Sequence, residues 1–253
     1  MTLAIQAGLW GLLSGSALVL GALIAYVAPL PQRVIAAVMA VGAGVLISAV
    51  AFDLMDEAFR QGGFPATGGG FVAGALAYTA ANVIVTRRGA AHRKRSGHDG
   101  DAEQDASASG GLAIAIGALL DGIPESVVIG VSLLDGGAVS LVTVAAVFLS
   151  NVPEGLSSAA GMKKAGRSAA YIFGVWGGIA LVSGAAAVIG NVALAGAAPV
   201  VIAAVTAVAA GAILAMLVDT MIPEAFASTH DYAGLITVAG FLAAFALSKL
   251  GGR

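Results

Sequence analysis

The chain contains apolar runs near 3–28, 34–59, 64–86, 111–134, 138–162, 168–193, 199–226 and 232–250. Each is long enough to cross about 30 Å of hydrocarbon as a helix. Residues that need lipid around them so often leave little chain for anything else. A soluble domain would carry about a quarter charged residues, whereas only 10% of these 253 residues are charged. The reading is an all-α polytopic membrane protein of eight transmembrane helices, a single transmembrane domain over 1–253. The absence of cysteine excludes disulfides, thiolate metal sites and cysteine nucleophiles.

The first basic residue is Arg33, beyond the first run, so that run lacks the basic start of a signal peptide and is expected to stay as a span. Between the third and fourth runs lies a polar segment, 87–110, read as a disordered loop. Arg33, Arg87, Arg88, Arg93, Lys94, Arg95, Lys163, Lys164 and Arg167 all fall on one side of the predicted topology. Arg60, Lys249 and Arg253 fall on the other. Basic loops stay inside, which predicts a plasma (cytoplasmic) membrane protein with both termini outside and loop 87–110 in the cytoplasm. Small residues fill the runs. Pairs such as Gly70–Gly74 and Gly174–Gly178 are expected to let helices pack closely rather than to do chemistry.

The carboxylates are the informative residues. Asp53, Asp56, Glu57, Asp121, Glu125, Glu154, Asp219 and Glu224 all fall inside the predicted spans, with no Lys or Arg at comparable depth. A central acid costs on the order of 2.5–3.5 kcal/mol to insert. With no basic partner expected, three solutions remain: acids kept neutral, a water-filled cavity, or bound cations. All three describe a path for cations or protons.

Their spacing groups them. Asp53 and Glu57, and likewise Asp121 and Glu125, stand one turn apart and share a helix face. In "FLSNVPEGLSS", Ser150 and Asn151 stand one turn before Glu154, and in "LVDTMIPEAF" Thr220 stands one turn before Glu224. Pro124, Pro153 and Pro223 each remove a backbone donor and are expected to disturb the helix, freeing carbonyls near 120, 149 and 219. Counting along each run at about 1.5 Å per residue puts Asp121, Glu125, Ser150, Asn151 and Glu154 near the midplane. Asp53, Asp56 and Glu57 fall toward the outside as an entrance, and Asp219 and Glu224 toward the cytoplasm as an exit.

The second and seventh runs read alike, "AGVLISAVAFDLMDEAF" (43–59) against "AGAILAMLVDTMIPEAF" (210–226). They cross in opposite directions, which suggests an inverted repeat of spans 1–3 and 6–8 around spans 4 and 5, with a site at the repeat interface.

"DGIPES" and "NVPEG" in consecutive spans, with "DTMIPEAF" in the seventh, resemble the motifs of the ZIP (Zrt/Irt-like) divalent metal transporters. Eight spans, outward termini and a long cytoplasmic third loop match that family over essentially the whole chain. The resemblance implies a metal bound between spans four and five by Glu125 and Glu154, with Asp121 and Asn151 next. The family motif His-Asn-x-Pro-Glu-Gly has Asp121 here in place of its histidine, Gly122 in place of its asparagine and Ser126 in place of its glycine. Gly122 and an acid-free sixth span count against a second bridged metal, so one central site is expected.

Imidazole suits zinc, whereas carboxylate and carbonyl oxygens suit manganese. The family implies zinc first, with Mn(II) or Fe(II) alongside. Met55, Met216 and Met221 are read as packing before sulfur ligands. His92 and His98 form a weak version of the family's histidine-rich loop, and His230 stands where a departing ion could meet it.

The resulting expectation is a transport domain, not an enzyme, that moves a divalent cation into the cytoplasm without an organic cofactor. Its partners would be that cation and membrane lipid, with no nucleic acid, and a homodimer is compatible with the sequence. A proton-coupled transporter of another small substrate is the nearer rival. An intramembrane aspartyl protease using Asp121 and Asp219 lacks that family's Gly-x-Gly-Asp context.

Overall fold

The computed structural model describes residues 1–28, 30–87 and 108–250, with side chains of 108–115 left aside. Predicted ligands His92 and His98 lie outside the described residues. Those described form helices and connections with no strand. Helix α1 (Leu3–Val27) is followed by α2 (Gln32–Ala49), a π turn (Val50–Leu54) and α3 (Met55–Val85). Then come α4 (Ala108–Ser132), α5 (Leu141–Lys164), α6 (Ala169–Leu194) and α7 (Pro199–Met216). A second π turn (Leu217–Met221) leads into α8 (Ile222–Thr229), a 3-10 turn (His230–Tyr232) and α9 (Ala233–Leu250).

The helix starts carry ordinary capping chemistry. Thr2, Ser140 and Ser168 each accept a bond from the amide three residues on, at 3.4, 3.2 and 3.2 Å. Pro199 opens α7, where its missing N–H costs nothing. Helix α5 ends at Gly166, whose φ of 75° lets the Arg167 amide bond back to Met162 O at 3.0 Å.

Among the described residues, five helical runs are long and apolar enough to cross a membrane by length and composition. Two of them, Gln32–Val85 and Pro199–Leu250, hold 54 and 52 residues, far beyond the roughly 20 that one crossing needs. Each contains one residue with positive φ, Gly63 at 64° and His230 at 42°. Large apolar side chains such as Leu76, Leu181, Leu235 and Leu250 are exposed on the outside. Water would not tolerate so many and lipid would, so the architecture is consistent with a helical membrane protein.

The inside is held by small residues. Helix α3 packs most extensively on α7, α2 on α9, α1 on α5 and α6, and α4 on α6. Where α2 crosses α9, Gly44 lies against Thr237 O and Gly240 against Val41 O. Where α7 crosses α3, Gly211 lies against Phe71 O and Gly74 against Val208 O. No side chain fits between these backbones, so van der Waals contact replaces the hydrophobic effect that lipid cannot supply. Gly70–Gly74 thus packs as expected. At Gly174 and Gly178 no such crossing is seen: a Cβ on either would meet nothing within 4 Å among the described residues. Helix α6 packs through Ile172, Trp176, Ile179 and Ser183, and residues 174 and 178 lie about 200° round from that face.

Candidate functional site

Asp121 and Glu125 project from α4 with 1% of each side chain exposed. Their one-turn spacing holds as predicted, but Pro124 does not open the helix, because α4 runs unbroken through it. Helix α5 likewise continues through Pro153. The prolyl ring packs against α2, where its Cγ lies 3.0 Å from the position of a Cβ on Gly42. Close packing therefore absorbs the strain that a lone helix would release as a kink. The interruptions sit elsewhere, at π turns containing Asp53 and Asp219, a feature frequent at functional sites.

Five helices contribute polar groups to buried contacts around these acids. Tyr78 of α3 is buried, and its Oη donates to Asp121 Oδ1 at 2.7 Å. On α5, Ser150, Asn151, Glu154 and Ser157 are all buried. Ser157 Oγ donates to Glu224 Oε1 of α8 at 2.9 Å, both groups buried. Asn151 Nδ2 donates to Ser14 O of α1 at 3.0 Å. Ser150 turns back on its own helix, donating to Val147 O at 2.9 Å.

The entrance and exit sets divide differently from the sequence reading. Asp53 is buried and accepts from Ser248 Oγ of α9 at 3.2 Å. Glu57 is half-buried and accepts from Gln61 Nε2 at 2.6 Å. Asp53 lies within the π turn Val50–Leu54, and Glu57 follows it in the first turn of α3. The expectation that the membrane acids lack basic partners also fails here. Arg60 Nη2 stands 3.2 Å from Asp56 Oδ2 and 3.1 Å from Glu57 Oε2. One turn of helix is enough to fold Arg60 back along its own face.

Asp219 is exposed and accepts from Asn82 Nδ2 at 3.3 Å, whereas Glu224 turns inward to Ser157. The predicted exit pair is therefore split, and Glu224 joins the α5 polar face through Ser157, one turn beyond Glu154. Thr220 Oγ1 donates to Met216 O of its own helical run at 2.7 Å. His230 is exposed at the α8–α9 turn, its ring edge-on to Phe226 at 6.0 Å. Met216 and Met221 are fully buried in the apolar core, as the packing reading expects.

Tyr78 and Ser157 are the site residues that sequence reasoning missed. Ser157 was visible one turn after Glu154 on a helix already singled out. Tyr78 had no local signal, because it lies 43 residues from its partner. Chemically, the arrangement offers carboxylate, phenol, hydroxyl and amide oxygen, a set suited to hard cations or proton transfer. Among the described residues no three His, Cys, Asp or Glu side chains gather into a group that could hold a metal ion. Asp121 and Glu224 each accept from a neutral hydroxyl, of Tyr78 and Ser157 respectively. Compared with known proteins, the chain matches no family model and no curated protein.

Proposed function

We propose that the chain is an eight-pass carrier that moves a divalent metal cation across the cytoplasmic membrane, of the kind its motifs resemble. The observation that carries this reading is the buried set Asp121, Glu125, Glu154 and Glu224, with Tyr78 bonded to Asp121, Ser157 bonded to Glu224, and Asn151 buried on the same helix as Glu154. Carboxylates inside an apolar helical protein are costly and mark ion or proton pathways. In this reading the ion enters past Asp53, Asp56 and Glu57, takes oxygen ligands from Asp121, Glu125, Asn151 and Glu154, and leaves past Glu224. Mixed oxygen ligands from separate helices suit a transported ion, which must be released as well as bound. Zinc is the first candidate by resemblance, with Mn(II) or Fe(II) favoured by the donor set. Inward direction follows the resemblance.

The inverted repeat is part of the same proposal. Aligning 43–59 with 210–226 superposes the two π turns, Val50–Leu54 on Leu217–Met221. The same alignment matches Gly44 with Gly211, each pressed on a neighbouring backbone, and Glu57 with Glu224. Helix pairs α2–α9 and α3–α7, and α1–α5 and α4–α6, are the exchanges such a repeat requires.

The test is uptake of Zn, Mn, Fe, Co and Cd by the purified protein in liposomes, beside Glu125→Ala and Glu154→Ala. Metal-dependent flux lost in both variants supports the reading. Full transport by both variants would remove the central site, and no flux for any metal would remove the function.

A further inference from the structure

A notch of about 350 Å³ opens where the end of α1, the start of α2 and the end of α5 meet. Ala28, Leu30, Ile35 and Ala160 form its apolar wall, and Lys163 and Lys164 its polar side. We propose that this notch binds the phosphate headgroup of an anionic phospholipid.

Three observations carry the assignment. The described lining holds two ammonium groups and no carboxylate, so it selects for negative charge. Lys163 is fixed in place: its Nζ donates to Tyr26 O at 2.6 Å and lies 5.1 Å from the centre of the Tyr26 ring. The surroundings are those of a lipid–water boundary. Tyr26 meets Phe173 edge-on at 5.7 Å, and the Arg167 guanidinium covers Tyr171 at 4.9 Å. Tyrosine with Lys and Arg at helix ends marks the headgroup level, and basic pockets between helices there take anionic headgroups.

The size also fits. A volume near the lower end of the roughly 300–1,000 Å³ of small-molecule sites admits a phosphoglycerol group. A free phosphate ion would use the lysines but gain nothing from the apolar wall, whereas a lipid uses both. The inference is independent of what the protein transports.

Native mass spectrometry of the full chain in detergent, titrated with phosphatidylglycerol and phosphatidylcholine, tests it. Phosphatidylglycerol should bind in preference, and Lys163→Gln and Lys164→Gln should each weaken it about fivefold. Ala160→Leu, which fills the notch with both charges kept, should weaken it too. Lys249→Gln, at the far end of α9, should not. Equal retention of the two lipids, or no loss in the lysine variants and in Ala160→Leu, overturns the proposal. Displacement of the lipid by excess inorganic phosphate assigns the notch to a free anion and also overturns it.

Discussion

Tyr78 on α3 donates its phenolic proton to Asp121 on α4 across 2.7 Å, and both side chains are buried. The bond ties a residue of one apolar helix to an acid of another, and so sets where that carboxylate points. A hydrogen bond to a charged group is worth about 1.5–3 kcal/mol. A double-mutant cycle of Tyr78→Phe with Asp121→Asn, read by thermal unfolding in detergent, should return a coupling energy of about that size. Additive effects would show that the contact carries no energy of its own.

If the chain carries a divalent metal as proposed, its oxygen-only donor set gives a second prediction. Asp121→His supplies the imidazole that zinc prefers, so competitive uptake should move from manganese toward zinc by about tenfold. An unchanged ratio would argue against ligand hardness as the source of selectivity. Because carboxylates lose protons as they take metal, wild-type uptake should also rise with external pH and fall as acid competes for the same oxygens.

Glycine at the helix crossings is a packing requirement. A methyl group on Gly44 would meet Thr237 O, and one on Gly211 would meet Phe71 O. Gly44→Ala and Gly211→Ala should each destabilise by about 1–3 kcal/mol. Gly178→Ala, with nothing within 4 Å, should instead stabilise by about 0.5–1 kcal/mol through helix propensity. Midpoints of thermal unfolding for the three variants settle this.

His230 holds φ at 42° and ψ at −117°, a backbone conformation that suits glycine. His230→Gly should relieve strain of about 1 kcal/mol and raise the unfolding midpoint. If the imidazole also receives a departing ion, the same variant should lower the transport rate while it stabilises the fold.

The chain has no cysteine, so topology can be mapped with single introduced thiols. Asp135→Cys and Ala198→Cys should react with an impermeant maleimide on intact cells. Asp231→Cys should react only after permeabilisation. Labelling of all three from outside would contradict eight crossings with outward termini.

The sequence by itself determined the helical, membrane-compatible architecture, because apolar run length and low charge are properties of the chain that no tertiary contact has to supply. It also singled out the acids on α4 and α5, since one-turn spacing within a helix is a local rule. Partner choice was not legible in it. Tyr78 finds Asp121, Ser157 finds Glu224 and Ser248 finds Asp53 across helices far apart in sequence. Two local expectations were also overruled: Pro124 and Pro153 sit in continuous helices, and Arg60 neutralises acids that looked isolated. Only the tertiary structure decided the partners across helices, because the rotation of each helix about its axis is set by where glycine lets a neighbouring backbone approach. That rotation, more than the presence of the acids, determines which oxygens face the interior together.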